Sequence, residues 1–138
     1  MTLRIADLKV GDALPERSHT PTNVSLFLYN ASVWNPHRIH YDETYTTQVE
    51  RHPAIVIDGP LQGDWLAQCV ANWLADGGTL LRFGYSNRKA TYLGETLVSG
   101  GRITAIDVAK RLVTVELFVR NANGDVTSPG AATVELRE

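Results

Sequence analysis

Between residues 61 and 74 the apolar side chains fall on a single stripe. Leu61, Trp65, Leu66, Cys69, Val70, Trp73 and Leu74 recur at spacings of three and four, the period of an α-helix with one face turned to a core. The spacing predicts a helix over about 60–76. Asp58 stands where an N-cap belongs, Pro60 suits the first turn, and Gly77-Gly78 offers a stop. Trp65 and Trp73 make the stripe too bulky for a single neighbouring element, so both read as core or interface. Such a helix needs a broad apolar surface to lie against.

The residues after it supply one. Val113, Val115, Leu117 and Val119 alternate with Thr114, Glu116 and Phe118, the period of a half-buried antiparallel strand. Strands are predicted over 79–92, 94–107, 111–121 and 131–137. Turn residues at Tyr92-Leu93-Gly94-Glu95, Asp107-Val108-Ala109-Lys110 and Asn121-Ala122-Asn123-Gly124-Asp125 separate them. Upstream, Val24, Leu26 and Leu28 at period two predict a further strand over 24–33. Residues 1–22, with Gly11-Asp12, Pro15 and Pro21, read as an extended, turn-rich opening. The expected architecture is α+β: an antiparallel sheet wrapped around one long central helix.

A chain of 138 residues buries one sizeable core but not two, so a single domain over 1–138 is expected. The net charge of −2 exerts no pull towards nucleic acid or an anionic membrane, and neither is an expected partner. No apolar run approaches the roughly 20 residues that span a bilayer. Arg4, Asp7 and Lys9 interrupt the first ten residues, which lack a signal-peptide segment. Cys69 is the only cysteine, so there is no internal disulfide and no thiolate cluster for zinc. A cytoplasmic location is expected.

Residues 34–58 are irregular and hold three of the four histidines, His37, His40 and His52. A long irregular stretch inside a small domain is often where function lies. Its densest polar part is Trp34-Asn35-Pro36-His37-Arg38-Ile39-His40-Tyr41-Asp42. In a helical turn His37 and His40 would share one side. One reading is a capped turn, with Asn35 and Asp42 bonding backbone. No metal is expected, because the two histidines have no evident third ligand.

The loop Asn35-Pro36-His37-Arg38-Ile39-His40-Tyr41-Asp42 resembles the Asp-x-Asn-Pro-(Ile/Leu)-His-x-Asp signature of MaoC-like dehydratases and R-specific enoyl-thioester hydratases. Leu8-Lys9-Val10-Gly11-Asp12, Ile57-Asp58-Gly59-Pro60-Leu61, Leu81-Arg82-Phe83 and Gly94-Glu95-Thr96-Leu97 are similar to other segments of that family, so the resemblance covers nearly the whole chain. The Asn-x-His-Arg-Ile-His-Tyr-Asp loop followed by Gly-Pro-Leu resembles a branch in particular. That branch holds fungal-mitochondrial-type hydroxyacyl-thioester dehydratases and mesaconyl-CoA hydratases. The resemblance implies a hotdog fold and a hydratase or dehydratase acting on the α–β bond of an acyl-CoA or acyl-carrier-protein thioester. It puts the general acid/base histidine at His40, the family's aspartate at Asn35 and its asparagine at His37. Arg38 stands in place of the motif's proline.

The change at Asn35 has a chemical consequence. An amide holds water or a hydroxyl by hydrogen bonds but accepts no proton at neutral pH. Proton transfer then rests on His40, whose side-chain type titrates at roughly 6.5, with His37 assisting or orienting Asn35. Asp42 is expected to be structural. Charge developing on a thioester oxygen needs preorganised donors. At the helix start Pro60 has no N–H, which leaves Gly59 and Leu61, and Gly59 matches the family's oxyanion-hole glycine. Asp58, where the family has histidine, is expected to cap the helix. Arg82, Arg88 and Lys89 are candidates to meet CoA phosphates, or are solvated charges on a strand edge.

Two other readings stay open. The chain is a non-catalytic subunit of a two-hotdog hydratase, a reading favoured by Asn35, or a hotdog thioesterase using Asp58 or Asp64. The first, like the hydratase reading, expects a homodimer or a heterodimer with a second hotdog subunit. No cofactor is expected, because the thioester itself acidifies the α position.

Overall fold

In the computed structural model, which describes residues 3–137, the apolar stripe forms helix α2, Gly59–Leu74. Its 16 residues make a rod about 24 Å long. Around it runs one five-stranded antiparallel sheet of β1 (Ala13–His19), β2 (Gly78–Tyr85), β3 (Leu97–Asp107), β4 (Leu112–Arg120) and β5 (Val126–Leu136), in the order β1-β3-β4-β5-β2. This is the expected helix wrapped by a sheet, the hotdog arrangement.

The alternation in β4 decides which face meets the helix. Val113, Val115, Leu117 and Val119 are all fully buried, and they join Leu97 and Ile103 of β3, and Val134 and Leu136 of β5, in one core. From the helix come Trp65, Leu66, Cys69, Val70 and Leu74, with Trp73 packed at the margin. Each such side chain removed from water contributes about 1.5–3 kcal/mol. Among the described residues no helix is long and apolar enough to cross a membrane.

Five boundaries differ from expectation; the strand expected over 131–137 already begins at Val126, paired to Arg120 of β4. Residues 24–33 are not a strand but helix α1, Asn23–Ser32. Thr22 and Ser25 form a reciprocal capping box, with Ser25 N–H donating to Thr22 Oγ1 at 3.1 Å and Thr22 N–H to Ser25 Oγ at 2.8 Å. That cap overrides the period-two pattern, in which only Leu26 is buried. The strand expected there lies earlier, as β1, inside the stretch read as turn-rich. The helix stop is not the glycine pair: Ala75 takes a left-handed φ of 45°, and Gly78 already begins β2.

Residues 86–96 form the last difference. They were expected to continue two strands, but they leave the sheet after Tyr85, and Tyr92 bridges to Val56 instead. This carries the loop over the start of α2.

Candidate active site

The 33–58 segment is held in place by its own backbone before any site chemistry is considered. After α1 the chain turns through Trp34 at a φ of 58°, a conformation costing a bulky residue on the order of 1 kcal/mol or more. Asn35 N–H then donates to Asn30 O at 2.9 Å, and Asn35 Oδ1 accepts from His37 N–H at 3.1 Å. The short 3-10 turn Arg38–His40 follows. Asp42 closes it: Oδ2 accepts from Arg38 at 2.8 Å and Oδ1 from Tyr45 N–H at 3.0 Å. Its carboxylate is thereby occupied with structure, and those bonds hold it below the usual range.

Two further backbone bonds bring this loop to the helix. Val56 N–H donates to Ile39 O at 3.0 Å and Ile57 N–H to Thr91 O at 2.9 Å. His40, buried, places Nδ1 2.7 Å from the Val56 carbonyl. Its Nε2 lies 3.5 Å from Asp58 Oδ2.

Asp58 is fully buried. It occupies the N-cap position of α2, yet its side chain makes no capping bond; it turns away from the helix. Asn30 Nδ2 donates to Oδ1 at 3.0 Å, and Asn35 Nδ2 lies 3.4 Å from Oδ2. Burial pushes the Asp58 carboxyl above its ordinary range, against the pull of the Asn30 amide and of His40. Asn30 also donates to Leu26 O at 2.7 Å, while its Oδ1 is buried without a hydrogen-bond partner. Asn30, Asn35, His40 and Asp58 thus form one polar cluster inside the protein. His37 stays exposed, its ring edge-on to that of His40 at 5.7 Å between centroids.

The cluster separates two hollows. On one side is a cleft of about 350 Å³ whose lining includes His40, Val56, Gly59, Asn87, Arg88 and Lys89. On the other, a hollow of about 300 Å³ is lined by Asn30 and Asn35 together with Phe27, Trp34, Pro36 and Tyr41. His40 and Asn35 therefore do not open onto the same cavity. Gly59 and Leu61 N–H meet no protein acceptor among the described residues, but the Leu61 side chain lines a third hollow with His19, Tyr29 and Trp65. A Cβ on Gly59 would meet the amide of the Asn87 side chain, which would have to shift to make room. Beneath the cleft, the buried Gln62 donates to Thr91 Oγ1 at 3.0 Å and accepts from Thr127 at 3.1 Å.

Of the three cations, Arg88 and Lys89 border the cleft, and Lys89 pairs with Asp125 at 2.5 Å. Arg82 stands apart on the outer strand β2, opposite Thr133. Asp64 is exposed and accepts from Tyr29 at 3.2 Å. Asn30 and Asn87 carried no signal as site residues. Asn30 was hidden by the strand pattern of 24–33, although its i, i+4 relation to Leu26 marks the buried side of a helix.

The hydroxyacyl-thioester dehydratase type 2 from Schizosaccharomyces pombe is 41% identical over 51 residues, covering 36% of this chain and 17% of that protein. Its Saccharomyces cerevisiae counterpart is 32% identical over 81 residues, 59% and 28% of the two chains. Mesaconyl-C(4)-CoA hydratase from Chloroflexus aurantiacus is 42% identical over 52 residues, 38% and 18%. The chain therefore spans less than a third of each of these relatives.

Among solved structures, the (R)-hydratase from A. caviae superposes with a TM-score of 0.85 at 18% identity, over 94% of this chain and 98% of that one. A MaoC-like dehydratase reaches 0.88 at 22% over 98% and 42%. The ChsH1–ChsH2 complex from Mycobacterium tuberculosis reaches 0.82 at 18% over 94% and 98%. At these identities the superpositions establish the shared fold. The family model of hydroxyacyl-thioester dehydratase type 2 matches residues 8–93, more than half the chain and every member of the buried cluster, and the protein belongs to that family.

Proposed function

We propose that the protein adds water to, or removes it from, the α–β bond of an acyl thioester. The observation that best supports this is one cleft bordered by both His40 and Gly59. The chemistry needs both. Taking a proton from the carbon next to a thioester builds negative charge on the carbonyl oxygen, and a free amide at a helix N-terminus stabilises that charge. Gly59 N–H is the donor, and the His40 imidazole moves the proton. The substrate is a CoA or carrier-protein thioester, with Arg88 and Lys89 at the rim suited to its phosphates. Family membership supports the same class of reaction.

The test is incubation of the purified protein with crotonyl-CoA and longer enoyl-CoAs, following loss of the conjugated thioester absorbance. Hydration is the expected result. Release of free thiol instead would favour a thioesterase.

A second reading has its own observation: Asn35 replaces the carboxylate of the related loop. On that reading the chain is the inactive half of a two-hotdog assembly, and the similar chain covered over 98% of its length comes from a two-protein complex, ChsH1–ChsH2. In either case we expect association along a sheet edge. The outer strand β2 exposes Leu80 and Leu81, and an apolar unpaired edge invites pairing. Sedimentation at micromolar concentration should give a dimer; a lone monomer contradicts this. The proposal takes 1–138 as one domain working in the cytoplasm, although the two yeast relatives are named mitochondrial. Fractionation of cells carrying a tagged copy tests the location.

A further inference from the structure

The hydrogen-bond chemistry around His40 restricts where protons can be. Nδ1 lies 2.7 Å from the carbonyl oxygen of Val56. A carbonyl only accepts, so Nδ1 carries a hydrogen. In the neutral ring, Nε2 is then a bare acceptor. It faces Asp58 Oδ2 at 3.5 Å, and an ionised carboxylate is also only an acceptor. Two buried acceptors facing each other repel unless a proton lies with one of them.

The surroundings of Asp58 strengthen this. It is fully buried, and among the described residues its one salt-bridge partner is His40. Asn30 and Asn35 contribute amide N–H groups but no charge. An isolated buried carboxylate is among the costliest groups a fold can hold. One proton shared with His40 removes that cost, as a neutral acid beside a neutral imidazole or as a carboxylate beside an imidazolium.

Resting on the proposed hydration chemistry, we infer that Asp58 is the proton-sharing partner of His40, supplying from the start of α2 the carboxylate that the loop lacks at Asn35. Asp58 acts through His40 and is a positioning residue; His40, bordering the cleft, meets the substrate. The unit enters and leaves each turnover with one proton. In hydration the carbon–carbon π bond breaks, water oxygen bonds to the β carbon, and a proton of that water passes to the pair. The proton held by the pair goes to the α carbon. Dehydration runs the same steps backwards. The other titratable groups near the pair are His37, edge-on to His40, and Tyr29 of α1, whose hydroxyl is held by Asp64 and raised by burial.

The experiment follows the ring nitrogens of His40 by NMR across pH in wild type, in Asp58→Asn, and in the swap Asn35→Asp/Asp58→Asn. The swap returns a carboxylate to the other side of the same 3.4 Å contact. In wild type, Nδ1 should stay protonated at every pH, which needs no variant to observe. A neutral ring carrying its hydrogen on Nε2 overturns the inference. In Asp58→Asn the His40 curve should change shape and position, and in the swap it should return towards wild type. An unchanged curve in Asp58→Asn also overturns it.

If the wild type turns over enoyl-CoA, Asp58→Asn should lose about 10²–10⁴-fold in kcat with KM nearly kept, and the swap should regain at least about tenfold. A loss confined to KM contradicts the proton role. A wild type inert on every thioester refutes the hydratase reading while the NMR arm still decides the pairing.

Discussion

The segment from 23 to 58 and the helix-and-sheet unit from 59 to 136 differ in where they put charge. In the second, Leu66, Val70, Val113, Leu117 and Val134 are inside, the buried polar residues such as Gln62, Thr91, Ser99, Thr127 and Ser128 are all uncharged, and the paired charges Arg102–Glu116 and Lys89–Asp125 lie at the surface. In the first, a carboxylate and an imidazole go inside beside Leu26, Ile55 and Ile57, and part of the segment inverts polarity. Asn30, His40, Thr46 and Asp58 are buried, while Val24, Phe27, Leu28, Val33 and Trp34 are exposed, Trp34 at 90%. A segment selected for stability alone would exchange these. Burying a carboxylate and an unpartnered amide oxygen costs free energy, so the inversion marks the place where the fold accommodates chemistry. Functional sites are where such local inconsistencies concentrate.

The comparison breaks most visibly if the inverted segment proves dispensable. His40→Ala should lower thioester turnover by about 10²–10⁴-fold, the usual worth of a positioned acid/base, with the far-UV circular dichroism unchanged. Full activity in that variant on every thioester the protein accepts would remove the catalytic meaning of the buried cluster.

Next in size is the scaffold. Leu66→Ala removes a fully buried side chain of α2 and should cost about 2–5 kcal/mol in urea denaturation. Phe27→Ala, at 57% exposure, should stay within about 0.5 kcal/mol. Comparable losses at the two positions would show that the exposed face of α1 is covered in solution.

Asp58→Asn sharpens the comparison with a change of sign. The Asp58 carboxyl is raised from an ordinary value of 3.8, chiefly by burial. Between that value and its raised one the folded state keeps a proton that the unfolded chain has lost, so its contribution to stability falls as pH climbs through the window. The asparagine variant lacks this dependence. Its Tm advantage over wild type should be larger at pH 8 than at pH 4. A Tm difference that does not vary with pH would argue against a buried carboxylate here.

The smallest expected effect belongs to the surface. Arg120→Ala opens the bidentate pair with Glu16, at 2.8 and 2.9 Å. Both side chains are substantially exposed, so the loss should be under about 1 kcal/mol and shrink further in salt. A larger loss would mean that β1 and β4 are tied together by more than their shared contact with β3.

How much of this was legible in the sequence follows the same division. The period of 3.6 over 61–74 and of 2 over 113–119 repeats enough times to outweigh local accidents, so the central helix and the strand that faces it could be read directly. At 24–28 the pattern had only three matches, and a two-residue capping box at Thr22 and Ser25 outweighed it. The glycine pair at 77–78 misled for a similar reason: Ala75 bears the left-handed turn, and the need of Gly78 for close approach to the Glu135 carbonyl comes from a strand 57 positions away in the chain.

The site shows the limit more sharply. The loop residues Asn35, His37 and His40 and the helix-start glycine stand out because a short motif keeps them at fixed spacings. Their grouping with Asn30 and Asp58 has no such signature. Asp58 precedes a proline-containing helix start, where local rules read any aspartate as a cap. Only the path of the 35–56 loop, bonded back through Ile39 and Val56, puts an imidazole and two amides around that carboxylate and leaves it without water. The sequence by itself determined the elements whose periodicity drives burial, and with them the sheet around the helix. Which polar groups would be sealed together was decided by the tertiary structure, because solvation and charge pairing depend on neighbours distant in the chain.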